Sequence, residues 1–417
     1  MESPRGAPNT TALNEQSESR PPDGPIGARR AEVLGVFLRL SVTAFGGPAA
    51  HIAAMEEELV RRRRWVTPGE FLDLLSAANL VPGPNSTELA MHLGRRRAGW
   101  WGLLAAGCAF IVPTSLLVWV MAMAYVHYGA RPDVSAFMRG MQPVVLAVVV
   151  HAVWRLSRSL LRTLTPIVIA GLAVAALLLG VHELWVLVGA AVAGLAQRAW
   201  SARGSLAGVV GWAPLTGSTP RSGPVLGVAV SATAATVASI PTSMGVFGAF
   251  LKIGSVLFGS GYVLLAFMRA EFVIRHGWLT EAQLLDAIAV GQLTPGPVFS
   301  AATFAGYLMA GHGGAVSATL GIFLPAFVFV AVSGPMVQAI RRSPALGAML
   351  DGVNAASLAL MVGAVLLMFE TVATSALALG IFAVATLLLA GTSVGAGTVL
   401  VGGALVGVLR WALATMR

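Results

Sequence analysis

Two Pro-Gly-Pro elements interrupt apolar stretches of this sequence, and the residues around them are well suited to bind a ligand. The first element, Pro82-Gly83-Pro84, precedes Asn85-Ser86-Thr87-Glu88, a run of helix-capping residue types followed by an acid. A helix that restarts there offers unpaired backbone N–H donors and a positive dipole end, which suit an anion. The second element, Pro295-Gly296-Pro297, leads into more apolar residues. We predict that the first element contacts an anionic substrate; the alternative is that both are packing kinks without a ligand.

Two glycine-containing elements interrupt apolar segments in the same way. They are Phe45-Gly46-Gly47-Pro48, with Gly46 and Gly47 at the break, and Phe258-Gly259-Ser260-Gly261, with Gly259 at the corresponding place. At membrane depth a broken helix is tolerated only where its freed backbone lines a cavity or is buried in protein. Breaks at corresponding places in two halves of a transporter indicate the binding site.

Two cations and two amides lie near these breaks. Arg39 and Lys252, the only lysine of the chain, lie inside apolar segments at the same distance before their glycine-containing elements. A cation at membrane depth costs about 2.5–3.5 kcal/mol on insertion scales, so each is a functional candidate and the two could flank a dianion. The alternative is that each reaches an interface or pairs with an acid. Asn79 and Gln292 stand three residues before their Pro-Gly-Pro elements and could donate to an oxyanion or simply bond within the core.

Three titratable residues within the broken segments are candidates for carrying protons: His51, Glu88 and His92. For the histidines, the alternative is a core histidine with satisfied hydrogen bonds. Two further pairs of acids, Glu58 with Glu271 and Asp73 with Asp286, lie beside basic residues, where ion pairing is favoured over proton relay.

The composition places these residues in a membrane. Of 417 residues, 56% are hydrophobic and 11% are charged, whereas a soluble domain carries about 25% charged residues. Several charge-free runs reach the length of about 20 residues that spans a bilayer as helix, and the alternation of a membrane barrel is absent. The net charge of +9 comes from short clusters between apolar runs, which reports membrane topology rather than nucleic-acid binding. No phosphate-binding loop, metal cluster or hydrolase motif is present, so we expect neither an enzyme nor a cofactor.

The sequence repeats itself. One constant offset relates Gly46 to Gly259 and Pro82 to Pro295, and an offset shorter by a single position relates Pro113 to Pro325. We predict a disordered cytoplasmic tail over residues 1–28, a first repeat over 29–200, a linker with an extra transmembrane segment, Val225–Thr242, over 201–245, and a second repeat over 246–417. An odd segment between two copies inverts the second copy. The predicted fold is therefore an all-α polytopic membrane protein with two homologous, inverted halves, an arrangement that recurs in secondary transporters.

One arginine cluster decides between two topologies. If Val33–Ala54 crosses the membrane, Arg61 to Arg64 lie outside, against the positive-inside rule. If Val33–Ala54 and Phe71–Leu93 are instead re-entrant hairpins, broken at their Gly-Pro and Pro-Gly-Pro elements, all the early arginines stay on one side. We favour the hairpins, and the inversion holds either way.

Taken together, the motifs resemble the long-chain chromate ion transporter family. The resemblance is carried by Phe45 to Ala53, by Arg62-Arg63-Arg64-Trp65, by Asn79 to Glu88 and, in the second half, by Phe258 to Tyr262 and Gly291 to Pro297, with Ser260 where a glycine is expected. It covers about residues 33–410. It implies a two-domain, multi-pass protein of the bacterial or archaeal inner (plasma) membrane that exports chromate, with sulfate as a related anion and a proton or ion gradient as the driving force.

This resemblance agrees with the site inferred from the residues. Chromate and sulfate are both tetrahedral oxyanions, so the sequence does not choose between them or identify the coupling ion. We expect the anion to bind among Arg39, Lys252, Asn79 and the N–H groups that follow Pro84 and Pro297, with the halves rocking to expose it alternately to each side. A transporter of sulfate or another oxyanion, an anion channel, and a membrane enzyme or assembly subunit are the alternatives. The expected partners are the oxyanion and the bilayer; a homodimer is left open.

Overall fold

The computed structural model describes residues 25–45, 47–160, 163–207, 240–258, 261–392 and 394–416, without the side chains of 201–207 and 334–342. The described residues form helices and contain no β-strand. The helices of the first half are α1 (Ile26–Thr43), α2 (Pro48–Met55), α3 (Pro68–Ala78), α4 (Asn85–Tyr128), α5 (Pro132–Leu160), α6 (Leu164–Leu178) and α7 (Glu183–Ala207). Those of the second half are α8 (Ser243–Val256), α9 (Val263–Met268), α10 (Glu281–Leu293), α11 (Ala301–Arg342), α12 (Pro344–Val372), α13 (Ala376–Gly391) and α14 (Ala396–Thr415).

Helix α1 and the helix after it form a hairpin in the first half. α2 continues as a π-helical turn, Glu56–Arg62, and runs back along α1. Arg63, after that turn, donates to Glu32 near the start of α1 at 2.9 Å, while His51 contacts the Ala44 carbonyl at 3.2 Å near the bend. The hairpin therefore returns to the face from which it entered.

A second hairpin begins at α3 and bends at Pro82-Gly83-Pro84. Arg96 donates to Glu70 at 3.0 Å at the open end, and Asn85 donates to Asn79 at 2.7 Å at the closed end. At Ala98 and Gly99 the backbone leaves the helical region, with φ of −137° and 64°. Helix α4 is thus two helices: a half-length segment, 85–97, of about 20 Å, and a spanning segment, 99–128, of about 45 Å.

The second half repeats both hairpins. α8 is followed by α9 and a π-helical turn, Arg269–Arg275, and Lys252 on α8 pairs with Glu271 on that turn at 2.6 Å. Helix α11 breaks at Ala310 and Gly311 with φ of −141° and 58°, as α4 does. The described residues thus contain four re-entrant hairpins, so the hairpin prediction is confirmed and Val33–Ala54 is not a spanning helix.

The equivalent spanning segments of the two halves run antiparallel. Arg95, next to the start of segment 99–128, donates to the carbonyls of Val330 and Ala331 at 3.1 and 3.0 Å. Trp119, toward the end of that segment, contacts His312 with the two rings tilted and their centroids 5.6 Å apart. Repeats related by an axis along the membrane normal would place these helices parallel. The halves are therefore inverted, with their symmetry axis in the membrane plane, as predicted.

Each half packs its later helices against the other half. A Cβ on Gly140 of α5 would lie 2.3 Å from the Gly403 carbonyl oxygen of α14, and a Cβ on Gly352 of α12 would lie 2.1 Å from the Ala190 carbonyl oxygen of α7. Small residues let these backbones touch, which is a common basis of helix association in membranes. The two crossings are equivalent by the repeat, so the halves hold each other at two matching contacts.

The hairpins bring the early arginines to one face. The open ends of both first-half hairpins, with Arg61 to Arg64 and Arg95 to Arg97, lie at the face where α5 ends and α12 begins. We call it the arginine-rich face, and the other one, where the second-half hairpins open, the opposite face. Among the described residues, five helical regions are long and apolar enough to cross a membrane.

Two predicted boundaries differ in the structure. Helix α1 begins at Ile26, inside the predicted tail of residues 1–28, because Pro25 is extended (φ −63°, ψ 150°) and the Ala28 and Arg29 amides bond to its carbonyl. Helix α7 continues to Ala207, past the predicted start of the linker at residue 201. The remainder of the tail, residues 1–24, and most of the linker with its extra segment, residues 208–239, lie outside the described residues.

Candidate functional site

The closed ends of all four hairpins meet at the centre of the molecule. The Gly83 amide donates to the Leu257 carbonyl of the other half at 2.8 Å, and the Gly296 amide donates to the Ala44 carbonyl at 3.1 Å. These two bonds are related by the repeat. Both glycines have positive φ, 140° and 85°, which L-residues rarely adopt, so this backbone explains the glycine in each Pro-Gly-Pro element. We call these four closed ends the apices.

A cavity of about 380 Å³ lies against the apices. It extends toward Leu160 at the end of α5, and hence toward the arginine-rich face. The cavity is lined by Pro48, Ile52, Asn79, Pro84, Asn85, Ser86, Leu156, Leu160, Gly261, Val263, Val298, Phe299, Asn354, Ser357 and Leu358. At about 30 Å³ per water, it has room for an oxyanion with part of its hydration shell.

The polar side of this cavity comes from the first half and from α12. Asn85 and Ser86 begin the half-length segment 85–97, where a helix has unpaired N–H groups and a positive dipole end. Ser357 is 2% exposed, and its hydroxyl has no hydrogen-bond partner in the structure. The facing residues of the second half are Val298 and Phe299. A buried hydroxyl without a partner, beside a helix start, points to a ligand that accepts hydrogen bonds.

The predicted site residues of the first half gather around the apices. Gly47, Pro82, Gly83 and Thr87 lie at or beside them, with Asn79, Pro84, Asn85 and Ser86 on the cavity wall. Thr87 is fully buried, and its hydroxyl has no partner.

The predicted residues of the second half gather there too. Gln292 is 4% exposed, and Pro295, Gly296 and Pro297 form the matching bend. Gly46 and Gly259 lie outside the described residues.

The three predicted proton carriers differ in their surroundings. Glu88 is fully buried, and neither carboxyl oxygen has a hydrogen-bond partner; a Cβ on Gly83 would lie 2.3 Å from one of them. His92, one turn further along the same helix, is 5% exposed with its Nε2 unpaired. His51 instead bridges the Ala44 carbonyl and the Ser86 hydroxyl at 3.2 and 3.4 Å. His51 is therefore a satisfied core histidine next to the cavity wall.

Arg39 and Lys252 are not brought to the cavity. Arg39 lies 4.0 Å from Glu58 with its side chain 64% exposed, and Lys252 pairs with Glu271. Neither lines the cavity. The structure thus favours the alternative interpretation, structural ion pairing, for both, and their joint binding of one dianion is not supported by this geometry.

A different cation lies near the cavity. Arg155 precedes Leu156, which lines the wall, and its charge acts on Tyr262, the neighbour of Gly261 on that wall. No carboxylate lies within ion-pairing distance of Arg155 among the described residues. Arg155, which does not itself line the cavity, therefore adds positive potential near it.

A second, larger cavity of about 720 Å³ opens at the opposite face. It lies between the start of α5, the end of α12 and the end of α14, and two residues of its wall, Gln142 and Val372, are the repeat equivalents of Asn354 and Leu160 in the first cavity. The two share no lining residue. Its inner end is formed by Tyr125, Gln142 and Asp286, where the Asp286 carboxylate accepts a hydrogen bond from each of the other two side chains, and it does not reach the apices. In the part of the chain that the structure describes, the cavity at the apices is therefore open toward the arginine-rich face, and the second cavity is separate from it.

Sequence reasoning missed Tyr125, Gln142, Asn354 and Ser357. Gln142 and Asn354 are amides at equivalent positions of the two repeats, in otherwise apolar helices, and they share the offset that relates Pro113 to Pro325. Extending the repeat comparison beyond Pro113 would have found this pair. Tyr125 and Ser357 have no polar counterpart, so the repeat carries no signal for them.

Comparison with known proteins agrees with the repeat. The chromate transporter family model matches the chain twice, over residues 31–195 and 244–408. The chromate transport protein of Cupriavidus metallidurans is 30% identical over 374 residues, 88% of each chain. That of Pseudomonas aeruginosa is 32% identical over 339 residues, covering 78% of this chain and 77% of the relative.

A probable chromate transport protein of Synechococcus elongatus is 29% identical over 344 residues, 80% of this chain and 82% of the relative. No solved structure matches the chain. The two matches of the family model are related by the same offset as Gly46 and Gly259, and together they cover most of the chain. The chain is a multi-pass membrane protein of two inverted halves, and it belongs to the chromate transporter family.

Proposed function

We propose that this chain is a secondary active transporter of the inner (plasma) membrane that exports chromate by alternating access. In this proposal the arginine-rich face is the cytoplasmic face, from which the protein takes up chromate. The observation that carries the proposal is the cavity at the apices. It presents a helix start, a buried unpaired serine hydroxyl and several amides, and it is open toward the face with the arginine clusters. Positive clusters collect in the cytoplasm, so the open state is the one that loads an anion from inside.

The binding chemistry suits a tetrahedral oxyanion. Asn85, Ser86 and Ser357 offer donors to its oxygens, the dipole of segment 85–97 opposes its negative charge, and Arg155 raises the potential nearby. Donors without a paired lysine or arginine bind the anion weakly enough for release. Sulfate presents the same geometry, so it is proposed as a competitor at the same site.

The proton is the proposed coupling ion, and Glu88 and His92 are its proposed carriers. They lie one turn apart on segment 85–97, whose start contacts the cavity. Desolvating an unpaired carboxylate is costly, so a buried Glu88 must hold a proton or gain a donor when the halves move. Binding of the anion at one end of this helix and of protons along it would link the two equilibria.

Uptake of labelled chromate into inverted membrane vesicles tests the function. We expect accumulation against the chromate gradient when a proton gradient is imposed, and competition by sulfate. Flux that only runs downhill, with or without the proton gradient, would identify a channel and overturn the proposal. Uptake of sulfate without any uptake of chromate would reassign the substrate.

Paired variants test the site. Ser357→Ala removes a hydroxyl from the cavity, and loss of a hydrogen bond to a charged ligand predicts a rise in KM of about tenfold or more. Ser157→Ala is the control, because that hydroxyl bonds to the Trp154 carbonyl outside the cavity.

Glu88→Gln is expected to abolish accumulation driven by the proton gradient, with Glu57→Gln on the exposed π-helical turn as its control. Wild-type kinetics in both Ser357→Ala and Glu88→Gln would overturn the assignment of the binding site and of the proton carrier.

A homodimer is a separate prediction, and light scattering of the purified protein would test it.

A further inference from the structure

Three residues close the route from the apices to the opposite face. Asp286 on α10 accepts hydrogen bonds from the Tyr125 hydroxyl at 2.8 Å and from the Gln142 amide at 3.0 Å. Asp286 is 3% exposed. Tyr125 and Gln142 belong to the first half and Asp286 to a hairpin of the second, so the contact joins elements that must separate for the cavity to open there. We call these three residues the latch.

The repeat counterparts of the latch have a different environment. Asp73 corresponds to Asp286 and Asn354 to Gln142. Asp73 is exposed, whereas Asp286 is buried, and Asn354 lines the open cavity rather than a closed contact. The two aspartates thus differ in burial, and the two amides differ in place: Gln142 lies in a hydrogen-bonded cluster and Asn354 on the wall of the open cavity.

Inverted repeats supply the second state of such a protein. Because the halves are related by an axis in the membrane plane, exchanging their conformations yields the same fold open to the other side. In the exchanged state Asp73 takes the place of Asp286, and Asn354 takes the place of Gln142.

We propose that Tyr125, Gln142 and Asp286 form the gate at the opposite face, and that Asp73 with Asn354 forms the matching gate at the arginine-rich face when the cavity opens the other way. The counterpart of Tyr125 is Val337, which has no hydroxyl. The second gate therefore lacks an equivalent of the Tyr125–Asp286 hydrogen bond, which favours the state open to the arginine-rich face when no substrate is bound. This inference rests on the proposed alternating access.

Cysteine labelling tests the gate without any transport measurement. Cys108 is the only cysteine of the chain, so Cys108→Ser gives a clean background, and Ser357→Cys places a single reporter in the cavity. A membrane-impermeant maleimide is applied to either side of oriented vesicles, and the ratio of the two labelling rates is measured. In the background protein we expect labelling mainly from the arginine-rich face.

Tyr125→Phe and Asp286→Ala are expected to raise labelling from the opposite face, relative to the arginine-rich face, by about tenfold or more, the factor that corresponds to one charge-assisted hydrogen bond. Tyr128→Phe is the matched control, since it lies on the same helix, half exposed and outside the latch. An unchanged ratio in both latch variants would overturn the gate. Tyr125→Phe alters one atom, which keeps the test available if Asp286→Ala fails to fold.

A cross-linking arm tests the second gate. In the same background, Asp73→Cys with Asn354→Cys is expected to form a disulfide faster when Tyr125→Phe is also present, because that variant populates the exchanged state. An equal rate with and without Tyr125→Phe would contradict the symmetric gate. Chromate flux is measured separately, in the protein that keeps Ser357. A shift in labelling together with no chromate flux in that protein would leave the gate standing and overturn the substrate, while normal flux with no shift would overturn the gate alone.

Discussion

Replacing Gly296 by alanine tests whether the apices are held as the structure describes. Gly296 has φ of 85°, a region that costs an L-residue about 1–2 kcal/mol. An added Cβ would lie 2.0 Å from the Thr114 hydroxyl, 3.0 Å from the Thr114 Cβ and 3.1 Å from the Ser41 carbonyl oxygen. Overpacking of this kind typically adds about 1–3 kcal/mol. We therefore expect Gly296→Ala to lose roughly 2–5 kcal/mol, enough to break the Gly296–Ala44 bond between the halves.

Two further variants separate the two contributions. Gly99→Ala also meets backbone strain, with φ of 64°, but has nothing within 4 Å of the added Cβ, so only the conformational contribution applies. Thr114→Ala in the Gly296→Ala background removes the nearest atom and is expected to restore part of the loss. The measurement is the unfolding midpoint of the purified protein in detergent, with chromate uptake alongside. A Gly296→Ala protein as stable as Gly99→Ala would refute the packing described here.

Two other perturbations have defined outcomes. Burial would raise the pKa of Glu32, but hydrogen bonds from Arg97, Arg63 and Trp65 hold it below its usual value. The stabilisation is thus present at neutral pH and lost as pH falls through the lowered pKa. Glu32→Gln should lower the free energy of unfolding by about 1–3 kcal/mol at pH 7, and Glu57→Gln should lower it much less. Thermal unfolding of the two variants measures the difference. Gly140→Ala should weaken the α5–α14 crossing and the yield of folded protein, whereas Gly171→Ala, with open space around it, should not; equal yields would exclude a close crossing.

The sequence predicted those parts of the fold that depend on backbone conformation. Pro-Gly-Pro and Gly-Pro elements cannot continue a helix, and they recur at one spacing, so the hairpins and the duplication could be inferred from residue types alone. The inversion was inferred from a segment outside the described residues, yet the antiparallel α4 and α11 support it independently. The break after Arg95 to Arg97 is visible in the sequence as the end of one apolar segment and the start of the next, but the tight turn at Ala98 and Gly99 was not predicted, because a single glycine carries a weak signal.

The roles of individual side chains were harder to infer from the sequence than the conformation of the backbone. Arg39 and Lys252 were singled out because cations are rare in this chain, but their acids, Glu58 and Glu271, stand a hairpin's length away in sequence and reach them only because the chain folds back. The same folding brings Glu32 to Arg97. Rarity of charge indicates that a residue matters to the structure; whether it binds a substrate depends on which partner the hairpins place beside it.

The repeat comparison also had a built-in limit. It highlights positions where the halves agree, such as the glycines of the two Pro-Gly-Pro elements, and these build the symmetric frame. A transporter that is open on one face at a time must hold its halves in different arrangements, so the residues that set the state are found where equivalent positions differ in burial or in type. Asp286 is buried, whereas its repeat equivalent, Asp73, is exposed, and the repeat equivalent of Tyr125 is Val337. In an inverted-repeat protein, matching residues therefore point to the frame, and mismatched environments point to the gate.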